Sequence, residues 1–152
     1  MSASADATAS PTGRPLQVGV VAETAQAERR VALTPATVGK VLDLGYAVTV
    51  ESGAGVRAGF EDAAYVAAGA KVSDGPVWDA DVVVTINAPR PDEIERLRPG
   101  ATVISMLAPA LEPARLEALA GRGVTALAMD AVPRISRAQS LDVLSSMANI
   151  AG

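Results

Sequence analysis

The sequence predicts an α/β protein: an open, mostly parallel sheet with helices on both faces. Three observations carry that expectation. Apolar runs and proline-led helical segments alternate at intervals of roughly 20–25 residues, the rhythm of βαβ units. One run, residues 82–86 (VVVTI), is β-branched throughout, as strands covered on both faces of a parallel sheet are. The composition is 49% apolar but only 3% aromatic, so the core should be Ala, Val and Leu in close layers. Together these point to a three-layer sheet of flavodoxin-like or Rossmann-like type.

The elements follow in order. Residues 1–15 are rich in Ser, Ala, Thr and Pro and have almost nothing to bury, so they read as a disordered leader. Residues 16–22 supply the first strand. Thr34 and Pro35 then give an N-cap and a proline at the first helical position; Val38, Val41 and Leu42 recur on one face, and Gly45 stands where a helix stop belongs. A second strand is expected at 46–50 and a second helix at 61–68, closed by Gly69. After the strand at 82–86 come a helix at 91–97, a strand at 101–107, a helix at 113–120 and a strand at 124–129. Residues 137–152 read as a further helix.

The chain has 152 residues, with neither histidine nor cysteine. Those two zeros exclude serine–histidine–aspartate triads, cysteine nucleophiles, histidine acid–base catalysis and thiolate or imidazole metal sites. No metal is expected, and one that bound would need oxygen ligands. The 13 basic and 17 acidic residues give a net charge of -4 without a basic tract, which argues against nucleic acid as a partner. No apolar run reaches the roughly 18 residues of a membrane span. Direct membrane insertion of this segment is therefore not expected, and a cytoplasmic location is.

Three segments are candidates for chemistry. Gly53-Ala54-Gly55-Val56-Arg57-Ala58 formally satisfies the dinucleotide fingerprint GxGxx(G/A), yet Gly59 and Phe60 intervene before helical periodicity begins. A glycine-rich turn explains it better. Arg30, between the first strand and first helix, belongs at the carboxyl end of the sheet, where ligands gather. It would either clamp an anionic or carboxamide group there or pair with Glu23 or Glu28 as a loop staple. The third segment, residues 133–149, is the most informative. On a helix, Gln139, Asp142, Ser145, Ser146 and Asn149 share roughly a third of the circumference, with Leu141, Leu144 and Ala148 opposite. Polar helical faces are normally just solvated, but those usually carry Lys and Glu; this one holds short amide, hydroxyl and carboxylate groups suited to close contacts. Arg134 and Arg137 add donors at its N-terminal approach.

RVALTP (30–35), ESGAG (51–55), PRISRAQSLDVLSS (133–146) and ANIAG (148–152) together resemble the NAD(H)-binding first domain of the proton-translocating NAD(P) transhydrogenase alpha subunit family. That family is related to alanine dehydrogenase. The first two motifs are similar to both branches, the last two to transhydrogenase, and the likeness runs from residue 18 to residue 152. Alanine dehydrogenases use an arginine in RVALTP, a lysine before a proline after the middle strand, and a histidine beyond the next strand. Arg30 matches the first; the lysine position looks like Asn87, and histidine is absent.

The resemblance implies hydride transfer between NADH and NADP⁺, coupled to proton translocation, with NAD(H) in this domain and NADP(H) on a partner domain. It implies membrane-embedded and NADP(H)-binding partner components, a homodimeric first domain, and a peripheral position on the cytoplasmic side of the membrane. Arg134, Gln139 and Asp142 would serve hydride transfer. Arg134 would hold the nicotinamide carboxamide end, with Ile135, Ser136 and Ser145 also at the cofactor; Gln139 would reach towards the second nucleotide, and Asp142 and Ser145 would organise ring, ribose and Arg134. Residues 16–152 would be the first lobe of a two-lobe domain, with 137–152 starting the helix towards a Rossmann NAD-binding lobe beyond the sequence. The isolated chain is expected to be inactive. The alternatives are a lobe of an alanine dehydrogenase-like enzyme and a non-catalytic assembly module whose polar helix is a protein interface.

Overall fold

The computed structural model describes residues 10–131. Among these residues six strands and four helices follow one another, alternating except between β3 and β4: β1 (Gln17–Val20), α1 (Pro35–Asp43), β2 (Ala47–Glu51), α2 (Asp62–Ala67), β3 (Lys71–Ser73), β4 (Val82–Asn87), α3 (Pro91–Ile94), β5 (Thr102–Met106), α4 (Pro113–Gly121) and β6 (Thr125–Ala128). The helix expected at 137–152 and most of the expected leader, residues 1–9, lie outside the described residues.

All strand pairs are parallel, and the strand order is β3-β2-β1-β4-β5-β6. The predicted open sheet is thus the Rossmann arrangement, in which the chain works outward from β1 and then crosses back to β4. Register places Val20 between Val50 on β2 and Val84 on β4. Side chains alternate across the sheet, so two cores form. Val20, Val48 and Val50 pack with Val38 of α1 and Tyr65 of α2, while Val83 and Val103 pack with Ile94, Leu97 and Leu119 on the other side.

Local chemistry explains the helix limits. Pro35 opens α1, the Thr34 amide donates to Thr37 Oγ1 at 3.1 Å, and the Gly45 amide closes the end by donating to the Leu42 carbonyl at 2.9 Å. α3, Pro91–Ile94, is shorter than the predicted 91–97: beyond it the bonds tighten to i→i−3 turns, with Arg96 donating to Glu93 and Leu97 to Ile94, both at 3.1 Å, and Leu97 is fully buried. β3 was not expected from the sequence. It is a three-residue edge strand with one apolar side chain, too short to show a period of two, and only its pairing with β2 defines it.

Arg14, inside the stretch read as leader, pairs with Asp81 at 3.1 Å, and the Gln17 amide donates to the same carboxylate at 2.8 Å. Arg98 is a third donor to Asp81. The entry to β1, the start of β4 and the turn before β5 are thereby tied together at the amino ends of the strands.

Candidate functional site at the switch point of the sheet

In an open α/β sheet the crevice for ligands lies beyond the carboxyl ends of the strands where the strand order reverses. Here that point lies between β1 and β4. Pairing of β1 with β4 ends at Val20 and Val84, and the register of β4 against β5 shifts between Val84 and Asn87. The amides beyond Val84 therefore need other partners. Glu23, on the loop leaving β1, accepts from the amides of Ile86 and Asn87 and from the buried Thr85 hydroxyl at 2.7 Å.

Asn87 is the hinge of the cluster. Its side-chain nitrogen donates to Glu23 Oε2 at 3.1 Å and to Glu28 Oε2 at 3.0 Å. Glu28 also receives a two-point grip from Arg30, Nε to Oε1 and Nη2 to Oε2, both at 2.7 Å. Of the two roles open to Arg30, the structure thus shows a staple to Glu28; the Arg30 side chain is 44% exposed while that of Glu28 is only 9% exposed. The Arg30 side chain lowers the Glu28 carboxyl from its ordinary value of 4.5 to about 2, outweighing the opposing effect of burial. The same bonds hold Arg30 more firmly charged.

A carboxyl acidified by folding stabilises the native state above its unfolded value and loses that contribution as pH falls through the folded one. Stability is accordingly expected to fall as pH drops from 4.5 towards about 2. Urea unfolding across that range should show a shallower dependence in Glu28→Gln.

The glycine loop is a structural turn, as its context indicated. It continues from β2 into a short 3-10 turn at Val56–Ala58, and Gly59 (φ +89°) then reverses the chain before α2. Gly55 is required by packing: a Cβ there would lie 2.6 Å from the ring of Tyr65 and 2.8 Å from the Phe60 carbonyl. The place a phosphate would need is filled from within, since Asp62 accepts from the Gly53 amide at 2.9 Å and from Ser52 Oγ at 2.6 Å. Those bonds hold the Asp62 carboxyl below its usual range.

Three small cavities surround the switch point. One of about 190 Å³ lies by Glu23, Trp78, Asn87 and Arg90, and one of about 170 Å³ by Glu28, Arg30, Ser52 and Arg57. A third, of about 240 Å³, is mostly apolar and lined by Ala32, Val84, Ile86, Ile104, Met106 and Met129, with the hydroxyls of Thr85 and Ser105. Larger hollows of about 400 and 680 Å³ lie around Arg14, Asp81 and Arg98, at the amino ends of the strands. There the carboxylate already joins both guanidiniums, and the ends of the strands are the wrong ones for a ligand crevice. Among the described residues no group of three or more acidic side chains is placed to hold a metal, and no helix is long and apolar enough to cross a membrane.

Arg134, Ile135, Ser136, Gln139, Asp142 and Ser145 all lie outside the described residues. Of the remaining candidates, the structure brings Arg30 and Asn87 together through Glu28 and leaves Gly53–Ala58 as packing. Sequence reasoning missed Thr85 and the role of Glu23 as an acceptor for backbone amides. The available signal was an acidic residue immediately after the first strand, where the switch point needs an acceptor.

A family profile described as alanine dehydrogenase/PNT, N-terminal domain, matches residues 19–151. The chain belongs to this family. Among relatives of this alanine dehydrogenase/PNT domain is the NAD(P) transhydrogenase subunit alpha of Haemophilus influenzae, 46% identical over 136 residues. That match covers 89% of this chain and 27% of the subunit. An alanine dehydrogenase of Bacillus subtilis is 40% identical over 137 residues, covering 89% of this chain and 35% of the enzyme. The crystal structure of transhydrogenase from Sinorhizobium meliloti superposes with a TM-score of 0.83 at 42% identity, covering 89% of this chain and 41% of that one. The alanine dehydrogenase/PNT domain here thus spans about a quarter of the length of the transhydrogenase relative and about a third of that of the alanine dehydrogenase.

Proposed function

We propose that this chain forms the first lobe of the NAD(H)-binding component of an NAD(P) transhydrogenase. The reaction is hydride transfer between NADH and NADP⁺, coupled to proton translocation across a membrane; the two nucleotides supply the redox chemistry. The observation that carries the proposal is Asn87, a neutral amide at the switch point held by two carboxylates. It has no ammonium with which to polarise a keto acid, the neighbouring Arg30 is gripped by Glu28, and the sequence has no imidazole to move a proton. Oxidative deamination needs such groups. Direct transfer between two nicotinamides needs only orientation and exclusion of water.

The described residues fit part of a nicotinamide nucleotide. The apolar cavity at the ends of β4 and β5 suits a flat ring with a polar edge, whereas the glycine loop, its Gly53 amide taken by Asp62, does not suit a pyrophosphate. Arg134 is assigned the carboxamide end, Ile135, Ser136 and Ser145 further contacts, Gln139 the approach of the second nucleotide, and Asp142 the alignment of Arg134. The partners are membrane-embedded and NADP(H)-binding components and a second copy of the domain, with the assembly peripheral on the cytoplasmic side.

The test uses the parent protein assembled with its partners in sealed vesicles. NADH should reduce an NADP⁺ analogue with accompanying proton movement, and alanine should not reduce NAD⁺. Alanine-dependent NAD⁺ reduction without transhydrogenation would favour the dehydrogenase branch, and neither activity would favour an assembly role. Calorimetric titration of the 152-residue chain alone should show weak or no NADH binding; micromolar affinity would return the glycine loop to consideration as a phosphate site.

A further inference from the structure

We propose that Asp130 is a positioning residue for hydride transfer, locking the turn after β5 to the short 3-10 turn Met129–Ala131 after β6, beside the apolar cavity assigned to the nicotinamide ring. The inference rests on the transhydrogenase reading and extends it to a residue outside the assigned site. Pairing of β5 with β6 ends at Ser105 and Ala128, so the amides just beyond β5 have no partner on β6. Asp130 takes two of them at once: Oδ1 accepts from the Leu107 amide at 3.0 Å and Oδ2 from the Ala108 amide at 2.7 Å.

The clamped turn is strained. Ala108 has a φ of +45°, the sole positive value outside glycine among the described residues. A side chain in that region persists only where its surroundings over-determine it, and such positions concentrate at functional sites. Here three sets of bonds fix it. Beside the two to Asp130, Arg115 Nη1 donates to the Leu107 carbonyl at 3.1 Å, and the Ala108 carbonyl accepts from Leu111 and Glu112 at 2.9 and 3.1 Å. Leu107 is fully buried, which anchors the turn to the core. Asp130 stands four positions before Arg134 in the chain and borders the cavity-lining Met129. A rigid join here fixes Met106 and Met129 in the wall of the cavity assigned to the nicotinamide ring, and displacements near 1 Å can lower a rate about 100-fold.

Asp130→Asn tests this in the full-length parent assembled with its partners. Asparagine keeps one acceptor oxygen but turns an NH₂ group towards the second amide. The expected result is a fall in kcat of about tenfold to a hundredfold with the KM for NADH within about twofold. Asp130→Glu, which keeps both oxygens, should recover part of the rate. Amide hydrogen exchange of residues 107–112 and 129–131 should quicken in Asp130→Asn while exchange in β1 and β4 stays unchanged. Wild-type kcat and exchange in Asp130→Asn would overturn the proposal, as would a kcat that falls only in step with the folded fraction and is not improved by glutamate. Should the single variant not fold, Asp130→Asn with Ala108→Gly, which removes the backbone strain, gives the same decision. Absence of transhydrogenation in the wild type would defeat the functional reading instead, and the exchange measurement would still decide the role of Asp130.

Discussion

Tyr65→Ala is expected to destabilise the domain by about 3–5 kcal/mol, the range for removing a large aromatic from a core. Tyr65 is the largest fully buried side chain among the described residues and belongs to the first core, with Val38, Val50, Ala54 and Ala70. Its ring also fills the space that Gly55 leaves open, and its hydroxyl donates to the Leu33 carbonyl at 2.9 Å. Truncation therefore removes apolar packing, opens a void beneath the glycine loop and leaves a carbonyl of the RVALTP segment without its partner. Tyr65→Phe separates these effects. It keeps the ring and should cost only about 1 kcal/mol, the usual worth of one hydrogen bond. Urea unfolding of both variants checks the pair, and equal losses would mean that the hydroxyl, and not the ring, carries the effect.

Gln139→Asn in the assembled parent enzyme is expected to reduce hydride transfer about 100-fold with little change in unfolding midpoint. Shortening the side chain by one methylene keeps the amide and withdraws it from the second nucleotide, so the proposed role predicts a loss in kcat, with NADH affinity nearly unchanged. Stopped-flow transfer from NADH to an NADP⁺ analogue gives the rate, and circular dichroism gives the fold. Unchanged turnover would indicate that the polar face of residues 139–149 serves assembly.

Much of the fold was legible because the signals are local. Pro35, Pro91 and Pro113 open helices, Gly45 closes one, and the β-branched residues at 82–86 could be little but a buried strand. β3 was hidden, since Lys71, Val72 and Ser73 become a strand only when the edge of β2 is present to pair with them. The early end of α3 was hidden because Ile94 and Leu97 keep the i,i+3 spacing of one helical face in the second core, while the bonds between them tighten to i→i−3 turns. At the site, the sequence placed Arg30 and Asn87 beyond the first strand and the middle strand but left Arg30 two roles.

The sequence by itself determined what chemistry is lacking. Without histidine or cysteine no fold can supply imidazole or thiolate, and with an amide at position 87 none can supply an ammonium there. Only the tertiary structure decided which charged groups are already engaged. Glu23 meets Asn87 across 64 positions of chain, Glu28 meets it across 59, and Asp130 meets Ala108 across 22. The physical reason is that a hydrogen bond depends on separations and angles set by the crossover that brings β4 beside β1, and these are properties of the packed sheet, not of neighbouring residues in the chain.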